Sequence, residues 1–265
     1  MPHASAGGLR LFYETHGEGE PLLLLPGLGA DHHLFDLQRE AFARQHRLIL
    51  VDNRDAGASD EADSPYGIAE MAQDALAAVD AAGATRFHVL GVSMGGAIAQ
   101  QLALQAPDRV ASLVLASTWG RTDPFLRAVL EGWRLMIARL APEDFLAAQA
   151  PWLFSARFLA SPAPEVVALQ HAMRERGWPR SAAAFGRQLE ACMGHDALAL
   201  LPILQTPTLV LVGEDDILTP PRYGRAVAAM LGRAELGLLL GAGHACLLET
   251  SKPFAERVLR FFARR

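Results

Sequence analysis

Apolar residues follow two different spacings along this 265-residue chain. Short uninterrupted apolar runs are typical of strands buried on both faces of a sheet, whereas apolar residues at every third or fourth position are typical of helices. The short runs predict several strands of one sheet. These predicted strands are residues 9–13, 22–25, 48–51, 87–92, 110–116, 208–212 and 236–240.

Stretches with helical spacing separate the predicted strands. Ile68, Met71 and Ala72, for example, begin a series that ends at Gly83, a residue type that commonly follows a helix. Alternating strands and helices favour a mostly parallel central sheet with helices on both faces, so we expect an α/β fold. The predicted helices are residues 34–43, 68–82, 97–106 and 253–263.

The alternation is interrupted between residues 119 and 207, where no apolar run has the spacing of a strand. Proline and glycine divide this stretch into short helices. We therefore predict an α/β core formed by residues 1–118 and 208–265, with an inserted helical cap formed by residues 119–207. The predicted cap helices are residues 126–140, 142–149, 165–176 and 182–193.

All four tryptophans lie in the predicted cap. Large aromatic side chains usually stabilise a core, and we expect this role for most of them. Trp133, within a predicted helix, and Trp152, in the segment W-L-F-S, are our candidates for substrate contact in a pocket between cap and sheet.

Composition and charge exclude several classes of function. The net charge of -5 provides no basic surface for nucleic acid or for an anionic membrane. No apolar run reaches the roughly 18 residues of a membrane-spanning helix, and the first residues lack the pattern of a signal peptide. The two cysteines, Cys192 and Cys246, are far apart in the sequence, which is typical of a reducing compartment. We expect a cytoplasmic protein with a small-molecule partner; the sequence predicts no oligomeric state.

A serine lies where a predicted strand becomes a predicted helix, in the segment G-V-S-M-G-G. This is the G-x-S-x-G pattern of a nucleophile elbow, in which the serine adopts a positive φ and leaves no room for Cβ atoms two residues away on either side. Gly91 and Gly95 meet that need, and Gly96 allows the helix to pack closely. Ser93 is therefore a candidate nucleophile, although the pattern alone also fits a glycine-rich turn with an incidental serine.

A serine nucleophile requires a base, which in this architecture follows a late strand. Of the nine histidines, His244 alone is so placed, in the segment L-L-L-G-A-G-H before the terminal helix. His195 is the main rival, but it ends a cap helix, where its alignment would depend on a mobile lid. The adjacent His32 and His33 could line a pocket, yet as metal ligands they lack a spaced third partner.

The base in turn requires a carboxylate that orients it. Three carboxylates compete in the segment G-E-D-D-I-L-T-P after the predicted strand 208–212, namely Glu214, Asp215 and Asp216. Successive side chains of extended backbone point in opposite directions, so they cannot all face His244. Asp52 is a weaker candidate because it precedes the serine, whereas the acid in this architecture follows it.

Taken together, these segments resemble the α/β-hydrolase superfamily over nearly the whole chain. L-P-G-L-G is similar to its oxyanion loop, G-V-S-M-G-G to its nucleophile motif, and G-E-D-D-I-L-T-P and G-A-G-H to its acid and base loops. The resemblance implies that Asp216 is the acid and that the backbone amides of Leu28 and Met94 stabilise the oxyanion. Pro26 replaces the common histidine of the oxyanion loop, which leaves these main-chain donors in place.

Within the superfamily, the chain looks most like 3-oxoadipate enol-lactonases and related small esterases. The turn D-N-R-D-A-G-A-S departs from the frequent pattern by placing Asp55 where glycine is usual. Together with the segment P-Y-G-I-A-E-M-A-Q-D-A-L, it is also similar to methylesterases that act on aromatic polyketides. The two similarities imply different substrates.

We therefore expect a serine hydrolase that cleaves a carboxylic ester or lactone through an acyl-enzyme. Ser93 in place of an aspartate nucleophile argues against dehalogenase or epoxide hydrolase chemistry. The alternatives are a methylesterase for bulky aromatic substrates, a carbon–carbon bond hydrolase, although Val92 stands where those enzymes often carry asparagine, and a non-catalytic receptor. We expect no metal or organic cofactor, because the sequence has neither spaced His/Cys ligand sets nor a dinucleotide fingerprint.

Overall fold

The computed structural model describes residues 2–264 and is built on one eight-stranded sheet with the order β1-β2-β4-β3-β5-β6-β7-β8. Strands β1, β2 and β4 pair antiparallel, and every other neighbouring pair is parallel. The predicted α/β class with a mostly parallel sheet is confirmed. The strands are β1 His3–Ala6, β2 Leu9–His16, β3 Glu20–Leu25, β4 His46–Val51, β5 Phe87–Val92, β6 Val110–Ala116, β7 Thr208–Gly213 and β8 Ala234–Leu239.

Helices cover both faces of the sheet, because alternate residues of its central strands belong to two different hydrophobic cores. Leu23 and Leu25 of β3 pack with residues of the helices that follow β4, β5 and β7, whereas Leu22 and Leu24 pack with the first and last helices. The helices are α1 Asp36–Ala43, α2 Ile68–Ala81, α3 Met94–Gln105, α4 Pro124–Ile137, α5 Pro142–Leu153, α6 Ala156–Ala160, α7 Pro164–Glu175, α8 Ala182–Met193, α9 Pro221–Met230, α10 Cys246–Glu249 and α11 Ser251–Phe262. Two 3-10 helices span His32–Phe35 and Leu198–Ile203.

Residues 119–207, here called the helical segment, connect β6 to β7 and contain α4 to α8. An isolated bridge between Arg121 and Asp196 joins the two ends of this segment. The connection leaves the sheet at its carboxyl edge, where β5 also ends, and therefore lies on the same side of the sheet as the serine after β5. Its treatment as a separate cap remains a prediction.

Helix α9 was not predicted from the sequence. It begins with Pro220 and Pro221 and contains Gly224, which are residue types that indicate a turn. Gly224 is needed for packing, because a Cβ at this position would lie 2.4 Å from the side chain of Val212 on β7. Close approach to the sheet thus explains a glycine that weakens the helical pattern.

Across residues 2–264, none of the helices is both long enough and apolar enough to span a bilayer.

Candidate active site

Ser93 occupies the turn between β5 and α3 with a φ of 55° and a ψ of -116°. The two glycines on either side are required by contacts with backbone. A Cβ at Gly91 would lie 2.2 Å from the carbonyl oxygen of Gly95, and a Cβ at Gly95 would lie 2.1 Å from that of Leu25. The serine thus has the positive φ predicted for a nucleophile elbow, and its backbone is held at the carboxyl end of the central strand.

The Ser93 side chain is hydrogen-bonded to His244, which is hydrogen-bonded to Asp216. The distances are 2.9 Å from Ser93 Oγ to His244 Nε2 and 2.9 Å from His244 Nδ1 to Asp216 Oδ2. An ionised carboxylate can only accept, so Nδ1 carries the proton and Nε2 accepts from the serine hydroxyl. Of the residues predicted for the catalytic site, these three are brought into one continuous hydrogen-bond chain.

Asp216 is 2% exposed and is held by the turn that follows it. The amides of Leu218 and Thr219 donate to its Oδ1 at 2.9 and 2.8 Å, and the Thr219 hydroxyl donates to its Oδ2 at 2.8 Å. Burial alone would raise the pKa of Asp216, but His244 and the bonds from Thr219 outweigh burial and lower it below the ordinary value. The carboxylate is therefore ionised and fixed opposite the imidazole. Thr219, which sequence analysis did not select, could have been recognised only by its position in the T-P of the acid loop.

His195 has no such partners. Its ring is buried in the helical segment, and neither ring nitrogen has a side-chain hydrogen-bond partner. Burial lowers the pKa of His195 to about 4, so it is neutral at pH 7. His32 is held at 2.8 Å by Asp52, and His33 pairs with Asp36 at 2.9 Å. His33 also lies on the wall of the cavity that adjoins Ser93 and His244, whereas His32 and His195 do not.

The turn from Gly27 to Ala30 passes directly beside the serine. A Cβ at Gly27 would lie 3.4 Å from Ser93 Cβ, and the amide of Ala30 closes the turn on the Gly27 carbonyl at 3.1 Å. Within the described turns and loops, the amides of Leu28 and Met94 donate to neither backbone nor side-chain acceptors. Both predicted oxyanion donors are thus free to bind an anion near Ser93, and Met94 is also the first residue of α3, whose N-terminus attracts negative charge.

A cavity of about 160 Å³ adjoins Ser93 and His244 and is enclosed largely by apolar side chains of the helical segment. Trp133 lines it, whereas Trp152 does not. The wall contributed by α5 consists of Leu146, Gln149 and Leu153, which share one helical face, and Trp152 lies outside this face. Two aromatic residues that were not selected from the sequence, Trp119 and Trp178, also line the cavity.

Polar groups in the cavity wall are few, and the charged ones are neutralised. Arg176 donates to Asp31 at 3.3 Å, and both residues lie on the wall. The carboxamide of Gln149 has no hydrogen-bond partner within the described chain, although the residue is only 3% exposed. The Nε1 of Trp133 is buried on the same wall and also has no partner within the described chain, so both groups are available to a ligand.

In the described part of the chain, no group of three or more His, Cys, Asp or Glu side chains is arranged to hold a metal ion. Both cysteines are free and buried. Cys246 lies 3.3 Å from the Ser117 hydroxyl, and burial raises its pKa to about 12. Burial also raises the pKa of Cys192, so both are thiols rather than thiolates at pH 7.

Comparison with known proteins agrees with this architecture. The sequence model of the alpha/beta hydrolase fold family matches residues 20–250. A protein named "Putative carbamate hydrolase RutD" from Azorhizobium caulinodans is 33% identical over 261 residues, covering 98% of each chain. Among solved structures, the enol-lactonase from Burkholderia xenovorans LB400 superposes with a TM-score of 0.90 at 25% identity, covering 99% of this chain and 100% of the other. A thermophilic esterase from Thermogutta terrifontis superposes with a TM-score of 0.86 at 26% identity, covering 99% and 96%.

Proposed function

The chain belongs to the alpha/beta-hydrolase fold family, and from this premise we propose that it is a serine hydrolase that cleaves a carboxylic ester or lactone. The observation that carries the proposal is the continuous hydrogen-bond chain from Ser93 through His244 to Asp216, with 2.9 Å at each link. A serine, a base and an orienting carboxylate in this order are the parts that acyl transfer to a hydroxyl requires.

The first half of the reaction forms an acyl-enzyme. Ser93 Oγ attacks the carbonyl carbon while its proton moves to Nε2 of His244, and Asp216 stabilises the resulting imidazolium. The carbonyl oxygen becomes an oxyanion that accepts from the amides of Leu28 and Met94. When the tetrahedral intermediate collapses, the ester C–O bond breaks and the imidazolium returns its proton to the leaving alkoxide.

The second half releases the acid. A water molecule donates its proton to Nε2 of His244 and attacks the acyl carbon, and the same amides hold the second oxyanion. The proton then passes to Ser93 Oγ as its bond to carbon breaks. For a lactone, the alcohol and the acid formed in the two halves are parts of one molecule.

We propose that the helical segment is a cap whose cavity accepts a neutral and mainly apolar small molecule. Trp133 and the leucines of α4 and α5 favour apolar substrate groups. An anionic group would have no counter-charge on the described wall, because the guanidinium of Arg176 is already paired with Asp31. Gln149 could bind one carbonyl, amide or hydroxyl group in this mainly apolar space. These features favour esters with a bulky acyl part, including the aromatic substrates of a methylesterase.

Carbamate hydrolysis is the second candidate, and it is favoured by similarity over nearly the full length to the protein named as a putative carbamate hydrolase. The same serine could attack the carbamate carbonyl, because both reactions pass through a tetrahedral oxyanion. An apolar cavity that extends well beyond Ser93 suits an N-substituted or O-aryl carbamate better than a small charged one.

The test uses a serine-directed fluorophosphonate and a substrate panel on the purified protein. We expect stoichiometric labelling of the wild type, no labelling of Ser93→Ala, and normal labelling of Ser112→Ala. Ser112 is a matched control because its hydroxyl is also hydrogen-bonded to a histidine, but to His88, at 2.7 Å, instead of His244.

The panel contains p-nitrophenyl esters, lactones, bulky methyl esters, aryl carbamates and a vinylogous diketone for carbon–carbon cleavage. Turnover of esters or lactones above all other classes supports the first candidate, and turnover of carbamates above esters supports the second. Failure of the wild type both to label and to turn over any member would instead favour a non-catalytic receptor.

A further inference from the structure

Helix α8 of the helical segment is bonded directly to the turn that carries the Leu28 amide. Gln188 is fully buried, and its side-chain oxygen accepts from the Gly29 amide at 2.8 Å. Its side-chain nitrogen donates to the carbonyl of Arg54 at 2.7 Å. The carboxamide orientation is fixed, because a backbone amide can only donate and a backbone carbonyl can only accept. One side chain thus joins the turn beside Ser93 to the loop that follows β4.

A second residue of the helical segment binds the other polar group of Gly29. The indole Nε1 of Trp178 donates to the Gly29 carbonyl at 2.8 Å. Gly29 has a φ of 69°, and a Cβ on it would lie 2.6 Å from the ring of Phe185 on α8. With the Ala30 amide bonded to the Gly27 carbonyl, this φ corresponds to the third position of a type II turn.

The three hydrogen bonds fix every peptide unit of that turn. The Ala30 bond fixes the Gly27 carbonyl, and hence the Leu28 amide on the same peptide plane. Gln188 fixes the following peptide plane, which is the one that rotates when a type II turn converts to type I. Two of these three hydrogen bonds, those of Gln188 and Trp178, come from the helical segment and not from the sheet.

The position of α8 is itself fixed by a buried ion pair at the neighbouring residue. Arg187 donates to both oxygens of Asp55 at 2.9 and 2.6 Å, and the Asp55 side chain is 0% exposed. Tyr66 and the amide of Ala62 also donate to this carboxylate, at 2.7 and 2.9 Å. Asp55 has a φ of 68° and stands where glycine is usual in the similar motif. A non-glycine residue at positive φ is unfavourable unless its contacts compensate, and here the compensation is the bidentate bond to α8.

We propose that Gln188 is a positioning residue for the oxyanion donor at Leu28, and that the Arg187–Asp55 pair holds α8 where Gln188 can reach the turn. The inference rests on the proposed serine hydrolase function. Without the two bonds from the helical segment, the turn keeps only its internal bond from the Ala30 amide to the Gly27 carbonyl, and it can shift as a unit relative to Ser93. The Leu28 amide then no longer points at the developing oxyanion, although substrate still fits the cavity.

The experiment compares Gln188→Leu with Gln38→Leu on a p-nitrophenyl ester that the wild type hydrolyses. Gln38 is a matched control because it is also fully buried and donates to one backbone carbonyl, that of Leu247, at 2.7 Å, but does not contact the turn. The second readout is the inhibition constant of a trifluoromethyl ketone, which forms an oxyanion on Ser93, relative to that of the matching methyl ketone. Fraction folded is measured for each variant so that kcat refers to native protein.

For Gln188→Leu we expect kcat to fall about 10- to 100-fold with little change in KM, the range for a misplaced or lost oxyanion donor. Binding of the trifluoromethyl ketone should weaken by the same factor, and binding of the methyl ketone should not change. Gln38→Leu should leave kcat and the ratio of the two inhibition constants at their wild-type values. A purely structural role would lower the folded fraction and leave the ratio of the two ketones at its wild-type value, which would overturn the inference.

If Gln188→Leu does not fold, Trp178→Phe provides the same test, because it removes the donor to Gly29 and keeps an aromatic ring on the cavity wall. We expect kcat, and the preference for the trifluoromethyl ketone over the methyl ketone, to fall together by about 3- to 10-fold, which corresponds to one neutral hydrogen bond. An unchanged ratio in this folded variant overturns the inference. A wild type that neither labels nor hydrolyses would refute the proposed function instead, so the two failures are distinguishable.

Discussion

At the scale of single residues, three carboxylates that are adjacent in sequence have different surroundings. Glu214 is exposed and accepts from the Gly241 amide at 3.0 Å, and Asp215 is exposed as well. Asp216 alone is turned inward, where two amides and two side chains fix it. Residue order could not separate the three, because the direction of each side chain depends on how the chain turns after β7.

Replacing Asp216 by asparagine should nearly abolish turnover. The amide would leave the imidazolium without a countercharge and would allow the wrong tautomer of His244, so we expect kcat to fall about 10⁴-fold. Asp215→Asn, the matched control, should stay within a few-fold of the wild type because its side chain faces water. Steady-state kinetics on one activated ester provide the comparison, and the reverse ranking of the two variants would contradict the assignment.

His195 should make the protein less stable in mild acid. Its folded-state pKa of about 4 lies below the ordinary value of 6.5, so the unfolded chain binds one more proton than the folded chain between these pH values. The free energy of unfolding therefore falls as pH falls through this window, by about 1.4 kcal/mol per pH unit at most, and the full contribution is present above pH 6.5. Below pH 4 both states are protonated and the dependence on this residue ends.

Urea titrations between pH 4 and pH 7 measure this effect when the wild type is compared with His195→Gln. The variant lacks the titrating ring, so its stability should depend less steeply on pH over the same range. Equal slopes for the two proteins would show that His195 does not contribute to the acid lability.

At the scale of elements, sequence patterns identified the strands from β2 to β8 and most long helices, because each buries a continuous stripe or run of apolar residues. They did not identify β1, α9, α10, the two 3-10 helices or α6, which is only five residues long. β1 is an edge strand of four residues, α10 is a single turn, and α9 contains a glycine that packing demands. Short or tightly packed elements carry too little periodicity to be recognised alone.

Replacement by alanine should have opposite effects on stability at Gly95, in the nucleophile elbow, and at Gly132, in α4. A Cβ on Gly95 would collide with the backbone of β3 at 2.1 Å, so Gly95→Ala should separate β3 from α3 and displace Ser93. Gly132 lies inside α4, and a methyl group added there would have no atom beyond its own helical turns within 4 Å. Gly132→Ala should therefore stabilise the fold by about 0.5 to 1 kcal/mol through helix propensity.

Thermal unfolding and ester turnover of the two alanine variants test this prediction. Gly95→Ala should lose activity and melt lower, and Gly132→Ala should melt higher with unchanged activity. A Gly95→Ala protein that melts and turns over like the wild type would show that the elbow tolerates a side chain.

At the scale of the whole molecule, the candidate site is divided between two parts of the chain. Ser93, Asp216 and His244 come from loops that follow strands of the sheet. Their proximity could be predicted, because the loops at the carboxyl ends of parallel strands lie at the same edge of the sheet. The cavity wall comes from the helical segment, whose side-chain directions depend on packing. The structure places Trp133 on this wall and Trp152 outside it, and the sequence could not indicate Gln149.

Gln149 should determine which acyl groups the cavity prefers. Gln149→Leu removes an amide on the cavity wall and keeps a side chain of similar size, so we expect little change in stability. Esters with a remote carbonyl or hydroxyl group should lose about 2- to 10-fold in kcat/KM relative to wholly apolar esters, the worth of one neutral hydrogen bond. The same substrate pair measured on Gln38→Leu serves as the control, and an unchanged preference in Gln149→Leu would mean that the amide does not meet the substrate.

The two buried cysteines occupy different parts of the molecule, Cys192 on α8 and Cys246 beside His244. Each thiol is buried and protonated at neutral pH, which slows its alkylation, and Cys192 also lies on the cavity wall. Peptide mass spectrometry after timed exposure to iodoacetamide therefore measures the alkylation rate of each cysteine separately in the wild-type protein. Faster modification of Cys192 than of Cys246 would indicate that the reagent enters the cavity or that α8 separates from an intact sheet, and equal rates would indicate that the whole molecule opens at once.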